Sequence, residues 1–141
     1  MDHVVYLDAK AKEYETLFTG EKSMLIRGAA GRKMPYGRVK VNDVLYFLNN
    51  NAEGVIKARV TVKSVINSEK MSKNESAALV EAHQGKLRLT TQQYKRWAGK
   101  RYLVLIEVDE VEQLKPFPID KSAFGNMDDW LLVEAIGRVK V

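Results

Sequence analysis

The side chains best suited to chemistry cluster early in the chain. In "LFTGEKSMLIRG", Lys22, Ser23 and Arg27 share one short stretch. A lysine supplies a cation or, with its pKa brought down by burial or neighbouring cations, a base or nucleophile. An arginine offers a planar fork for a phosphate or a base edge, and a serine hydroxyl offers a hydrogen bond. The segment "GAAGRKMPYGRVKVN" adds Arg32, Lys33, Tyr36 and Arg38, a mixture of cations and an aromatic ring that suits phosphates and a stacked base. Asn49, at the end of an apolar run, can read a base edge, and the same Asn-Asn-Asn sequence is ordinary turn chemistry.

Each of these residues also has a structural use. Lys22 just past a helix end complements the helix dipole by about 0.3 to 1 kcal/mol. Arg27 can pair with Asp43 or Glu53, and Tyr36 can pin its loop to the scaffold. Trp97, at i, i+3 from Tyr94, reads as core packing, whereas Trp130 is a candidate for a site rim.

Composition narrows the function classes. The 141 residues carry no cysteine, which excludes disulfides, thiolate nucleophiles and cysteine-bound metals. His3 and His83 lack ligand-like spacing, so neither a metal nor another cofactor is expected. The start "MDHVVYLDAK" has no leader pattern and no apolar run is long enough to span a bilayer; a soluble cytoplasmic protein is the expectation. Net charge is +5, yet the segment from Lys22 to Lys63 alone holds nine Lys or Arg against Asp43 and Glu53. Positive charge concentrated in one third of a chain can fold into a footprint for phosphates, or remain a solvated surface.

The elements that must position these residues follow from pattern. "VVYL" reads as a first strand, and Asp8 is placed to cap a helix over "AKAKEYETLFTG" that Gly20 stops. "SMLIR" alternates as a second strand, with Met24 and Ile26 on one side and Ser23, Leu25 and Arg27 on the other. A long loop over 28–42 precedes the strands "DVLYFLNN" and "GVIKARVTVKSVIN". Ser72 with Glu75 signals a capping box, a second short helix starts at Thr90 or Thr91, and "RYLVLIEV" reads as a central strand. The two prolines of "KPFPID" predict a break, and "WLLVEAIGRVKV" an extended or mixed end. This order predicts one α+β domain over 1–141, a small mixed β-barrel of about five to seven strands with two or three short helices.

Three separated elements resemble the ASCH domain, a branch of the PUA-like superfamily. "GEKSMLIR" is similar to that family's Gly-x-Lys-x-x-Glu-x-Arg signature through Gly20, Lys22 and Arg27. "NDVLYFLNN" is similar to its Gly-Asp strand, with Asp43 matching and Asn42 in the glycine's place, and "YKRWAGKRYLVLIEV" is similar to its tryptophan-bearing helix and central strand. The resemblance implies a PUA-like barrel that binds RNA or a nucleotide-like ligand in a basic cleft. It also carries an alternative, since some members are small amidohydrolases acting on acetylated cytidine through a lysine, a hydroxyl residue and a glutamate. Lys22 matches the lysine, but Leu25 stands both at the signature glutamate and at the hydroxyl's place, with Ser23 adjacent rather than equivalent. Glu75 and Glu81 are the acids that could substitute. The expectation is therefore binding rather than catalysis, through Lys22, Ser23, Arg27, Arg32, Lys33, Tyr36, Arg38 and Asn49.

Overall fold

The computed structural model describes residues 1–120, 122 and 129–141. Its strands are β1 (Asp2–Leu7), β2 (Met24–Ala29), β3 (Val44–Asn49), β4 (Val55–Asn67), β5 (Tyr102–Val108), β6 (Glu112–Pro118) and β7 (Trp130–Glu134). They form one mixed sheet in the order β2-β5-β4-β3-β1-β7, with β6 also on β4. β1 and β3 run parallel and the other pairs are antiparallel. The sheet curls into a half-barrel. β2 and β7, at the ends of this path, are not hydrogen-bonded to each other, so a seam is left along one side.

β4 makes the curl. Ile56, Ala58, Val60 and Val62 are buried while alternate residues face outward, the period-2 pattern of a half-buried strand. A register shift between Val62 and Ser64 then turns the strand, so that its first part pairs with β6 and its second with β5. Inside the curl, Leu25, Phe47, Val60, Val104, Ile106 and Trp130 build the main core. On the convex side Met24, Ile26, Leu103 and Leu105 pack under the helices. β5 is thus buried on both faces and flanked by strands on both edges, as a central strand should be.

The helices are α1 (Glu13–Phe18), α2 (Lys73–Ala82), α3 (Gln84–Leu87) and α4 (Thr91–Trp97). Capping boxes start α2 at Ser72 with Glu75 and α4 at Thr90 with Gln93. Three expectations need correction. Asp8 does not cap the helix directly: its carboxylate accepts from the Ala11 N–H, Lys12 takes a left-handed conformation, and α1 begins only at Glu13. Among the described residues four short α-helices stand in place of two or three, because α3 is a single turn with no periodicity to read. The proline-rich segment is not a break but β6, paired to β4; the Ile119 N–H donates to the Gly54 carbonyl, so by alternation the nitrogens of Pro116 and Pro118 face away from β4 and no ladder bond to it is missing. Asn42, at φ 76°, takes the left-handed backbone that a glycine in its place would favour and that asparagine tolerates.

Candidate functional site

Lys22 and Arg27 bracket β2, and the local fold sends them to different places. Gly20, at φ 82°, ends α1 and reverses the chain, after which the Lys22 N–H donates to the Thr16 carbonyl. The lysine side chain then runs inward and is 2% exposed. Its Nζ donates to the Leu87 carbonyl and lies 3.4 Å from Glu13 Oε2. Glu13 is itself buried, accepting from Gln93 Nε2 at 3.2 Å and from the Asp8 N–H at 3.2 Å. Burial pulls the Lys22 ammonium below the ordinary lysine value, and the Glu13 carboxylate opposes that shift. The carboxylate beside this lysine thus comes from α1. Glu75 is engaged in its capping box and Leu25 is core.

Arg27 shares the concave face with Leu25 and reaches across the seam. Its Nη1 donates to the Ile26 carbonyl at 2.7 Å and its Nη2 to the Tyr6 carbonyl of β1 at 2.9 Å. Its Nε lies 3.3 Å from Asp129 Oδ2 but off the hydrogen-bond axis, and it has no acceptor. The guanidinium carbon is 5.5 Å from the Trp130 ring centroid and 5.9 Å from that of Trp97. Neither Asp43 nor Glu53 pairs with it: Asp43 holds His3 and Glu53 holds Lys57.

Arg27 opens onto a cleft of about 230 Å³ that also takes in Lys33, Arg96, Lys100, Trp97 and Trp130. Asp129 is the one acid among its described lining residues. Arg96 lies over Trp97 at 4.4 Å from the ring centroid and 3.9 Å from Asp129. A narrow extension shares Arg27 and Arg96 and leads toward Asp8, Glu13, Asn50 and Gln93. Four cations around two indoles give a surface for a planar ring carrying negative charge.

The floor is fixed from behind. Trp130 Nε1 donates to His3 Nδ1 at 3.0 Å, and His3 Nε2 lies 2.8 Å from Asp43 Oδ2. An imidazole that accepts at Nδ1 must carry its proton on Nε2, so His3 is neutral and donates to Asp43. His3 is 0% exposed, and its burial lowers its pKa while Asp43 pulls the other way.

Of the residues singled out in the sequence, Arg27 and Lys33 line the cleft. Lys22 lies behind it, in contact with Glu13 of the extension. Ser23, Arg32, Arg38 and Asn49 are not among its lining residues. The backbone of Ser23 joins Lys86 and Val108, and Arg32 sits over Tyr36 and Tyr102. Tyr36 pins the loop by donating to the Ser68 carbonyl, and Arg38 is exposed. Asn49 is buried with its Oδ1 unpaired, and its neighbour Asn50 reaches the extension. Arg96, Lys100 and Asp129 escaped the sequence reading. The signal for two of them was present: from Lys86 to Arg101 the chain has six basic residues and no acid, interleaved with Tyr94 and Trp97.

Among the described residues no group of three or more His, Asp or Glu is arranged to hold a metal, and no helix is long and apolar enough to cross a membrane.

A curled mixed sheet with α1 against the core inside the curl and α2, α3 and α4 on the convex side defines an α+β half-barrel. The fold is of the ASCH type. Crystal structures of the ASCH protein from Zymomonas mobilis, wild type and a point variant, superpose with TM-scores of 0.65 and 0.66 at 12% and 13% identity, covering 94% of this chain and 87% and 89% of theirs. A second variant of that protein gives 0.67 at 12% identity. No protein-family model and no curated protein matches the sequence.

Proposed function

We propose that the protein binds RNA or a nucleotide-like ligand in the seam cleft. The observation that carries this reading is the convergence of Arg27, Lys33, Arg96 and Lys100 around Trp97 and Trp130. At about 230 Å³ the cleft is below the usual 300–1,000 Å³ of a drug-sized pocket, a size suited to one unstacked base with its phosphate at the rim. Arg27 reads the ligand: two backbone carbonyls fix its guanidinium, and the residue lines the cleft between the two indoles. Lys33 and Lys100, exposed and without salt bridges among the described residues, neutralise phosphates. The PUA-like fold, broadly one of RNA binding, agrees with this chemistry. The loop cations Arg32 and Arg38 add longer-range attraction rather than contacts in the cleft.

Fluorescence anisotropy with labelled single-stranded RNA of varied sequence tests the proposal. Affinity falls steeply with salt; Lys33→Ala weakens all sequences alike, and Arg27→Ala costs more and changes preference. Absence of binding at low salt, or binding indifferent to salt, refutes it.

The Lys22–Glu13 pair favours a second reading, hydrolysis of a modified nucleoside. It supplies a lysine with a lowered pKa and a carboxylate beside it, the two parts missing from the signature stretch. Against it, Lys22 is closed off from the cleft. Incubation with acetylated cytidine, compared with Lys22→Ala, decides: unchanged substrate with the wild type removes this reading.

A further inference from the structure

We infer that the cleft is one half of a longer track, and that its ligand is a single-stranded RNA of at least two nucleotides rather than a free nucleotide. This inference rests on the cleft reading above. On the other side of Lys100 lies a second hollow of about 280 Å³, lined by Ala30, Met71, Ser72, Lys73, Gly99 and Arg101 together with Lys100 itself. Lys100 therefore belongs to both walls.

Two features make the pair of hollows a path for a polyanion. Among the described residues no acid lines the second hollow, and none of Lys33, Lys73, Lys100 and Arg101 is in a salt bridge. Their charge is available to a ligand. Gly28 sets the spacing beside Lys100. At Gly28 an added Cβ would stand 2.6 Å from the Leu103 side chain and 3.2 Å from the Lys100 Cβ, so β2 lies tight against the start of β5 and keeps Lys100 between the two sites.

The sizes and chemistries differ in a way that orders the ligand. The cleft has aromatic rings and takes a base; the second hollow has Lys73 and Arg101 but no aromatic residue among its described lining, and takes the adjoining phosphate. Neither hollow alone reaches the size of an ordinary ligand pocket, while the two together do. A base can enter the cleft only when unstacked, which a duplex does not offer.

The test is competition against a labelled oligouridylate by uridine 5′-monophosphate and by oligouridylates of two and four nucleotides, with the wild type and with Lys73→Ala/Arg101→Ala. Both residues are exposed, so an unchanged melting curve accompanies the double variant. The expected result is an affinity about tenfold or more higher for the tetranucleotide than for the monophosphate. In the double variant that advantage is lost, the salt slope falls by about 0.7 per lost contact, and monophosphate binding is unaltered. Equal affinity for monophosphate and tetranucleotide, or a double variant indistinguishable from wild type, overturns the track and leaves the cleft reading standing. Polyglutamate competing as well as RNA at equal charge overturns it in favour of an acidic protein partner. If wild type binds neither monophosphate nor oligonucleotide, the cleft reading falls and the track with it.

Discussion

Lys22 and Arg27 come from one short stretch, are both nearly buried, and meet opposite surroundings. At 2% exposure Lys22 has a carbonyl and a buried carboxylate for its donors; at 7% Arg27 has two carbonyls, an imperfectly placed Asp129 and an Nε–H with no acceptor. Burial alone does not separate a structural cation from one that faces a ligand. What separates them is how many donors the protein itself satisfies, and whether the residue lines a cavity.

The largest effect that would break this comparison is on the closed side. Lys22→Met leaves Glu13 buried without its cation and is expected to cost about 3 to 5 kcal/mol in urea unfolding, whereas Glu13→Gln with Lys22→Met recovers most of that loss. A small loss from the single variant would mean that Lys22 is not structurally paired. On the open side, Trp130→Phe keeps a ring in the cleft but orphans His3 Nδ1, for a loss of about 1 to 3 kcal/mol.

A pH series sharpens the contrast next. The folded state lowers the pKa of His3, so the unfolded chain binds more protons as pH drops; the stability His3 provides is complete above its unfolded value of about 6.5 and is lost as pH falls through the lower folded value. Thermal melting should therefore show a decline on acidification that His3→Gln reduces, and a flat wild-type profile would disprove the neutral relay from Asp43 to Trp130. Thr90→Ala, which removes the cap of the helix bearing Arg96 and Trp97, should cost about 1 kcal/mol of unfolding free energy. Arg38→Ala, exposed and outside the cleft, should change stability by no more than about 0.5 kcal/mol, as read by urea unfolding.

Local signals were the legible ones. Ser72 with Glu75 announced α2, Gly20 the end of α1, and the alternation around Val60 the half-buried β4, because each depends on residues close in sequence. The prolines of β6 misled, since tolerance for proline depends on which way its nitrogen faces in the paired sheet, a property of the register with β4. Half of the cleft's cations were hidden by the bookkeeping of charge. Net charge outside Lys22 to Lys63 is negative, and that sum conceals the acid-free basic run from Lys86 to Arg101, which β5 pairing with β2 brings beside Arg27. Glu13 and Lys22 are nine residues apart across a helix and a turn, and no periodicity links them. Asp43, His3 and Trp130 span nearly the whole chain; only the β1–β3 and β1–β7 pairings join them.

Both tryptophans of the chain line the cleft, which makes their emission the most direct report on the central claim. Titration with unlabelled oligouridylate should quench that emission, with a midpoint that matches anisotropy and moves to higher RNA concentration as salt is raised. RNA that binds by anisotropy while tryptophan emission stays constant would place the ligand elsewhere and contradict the account.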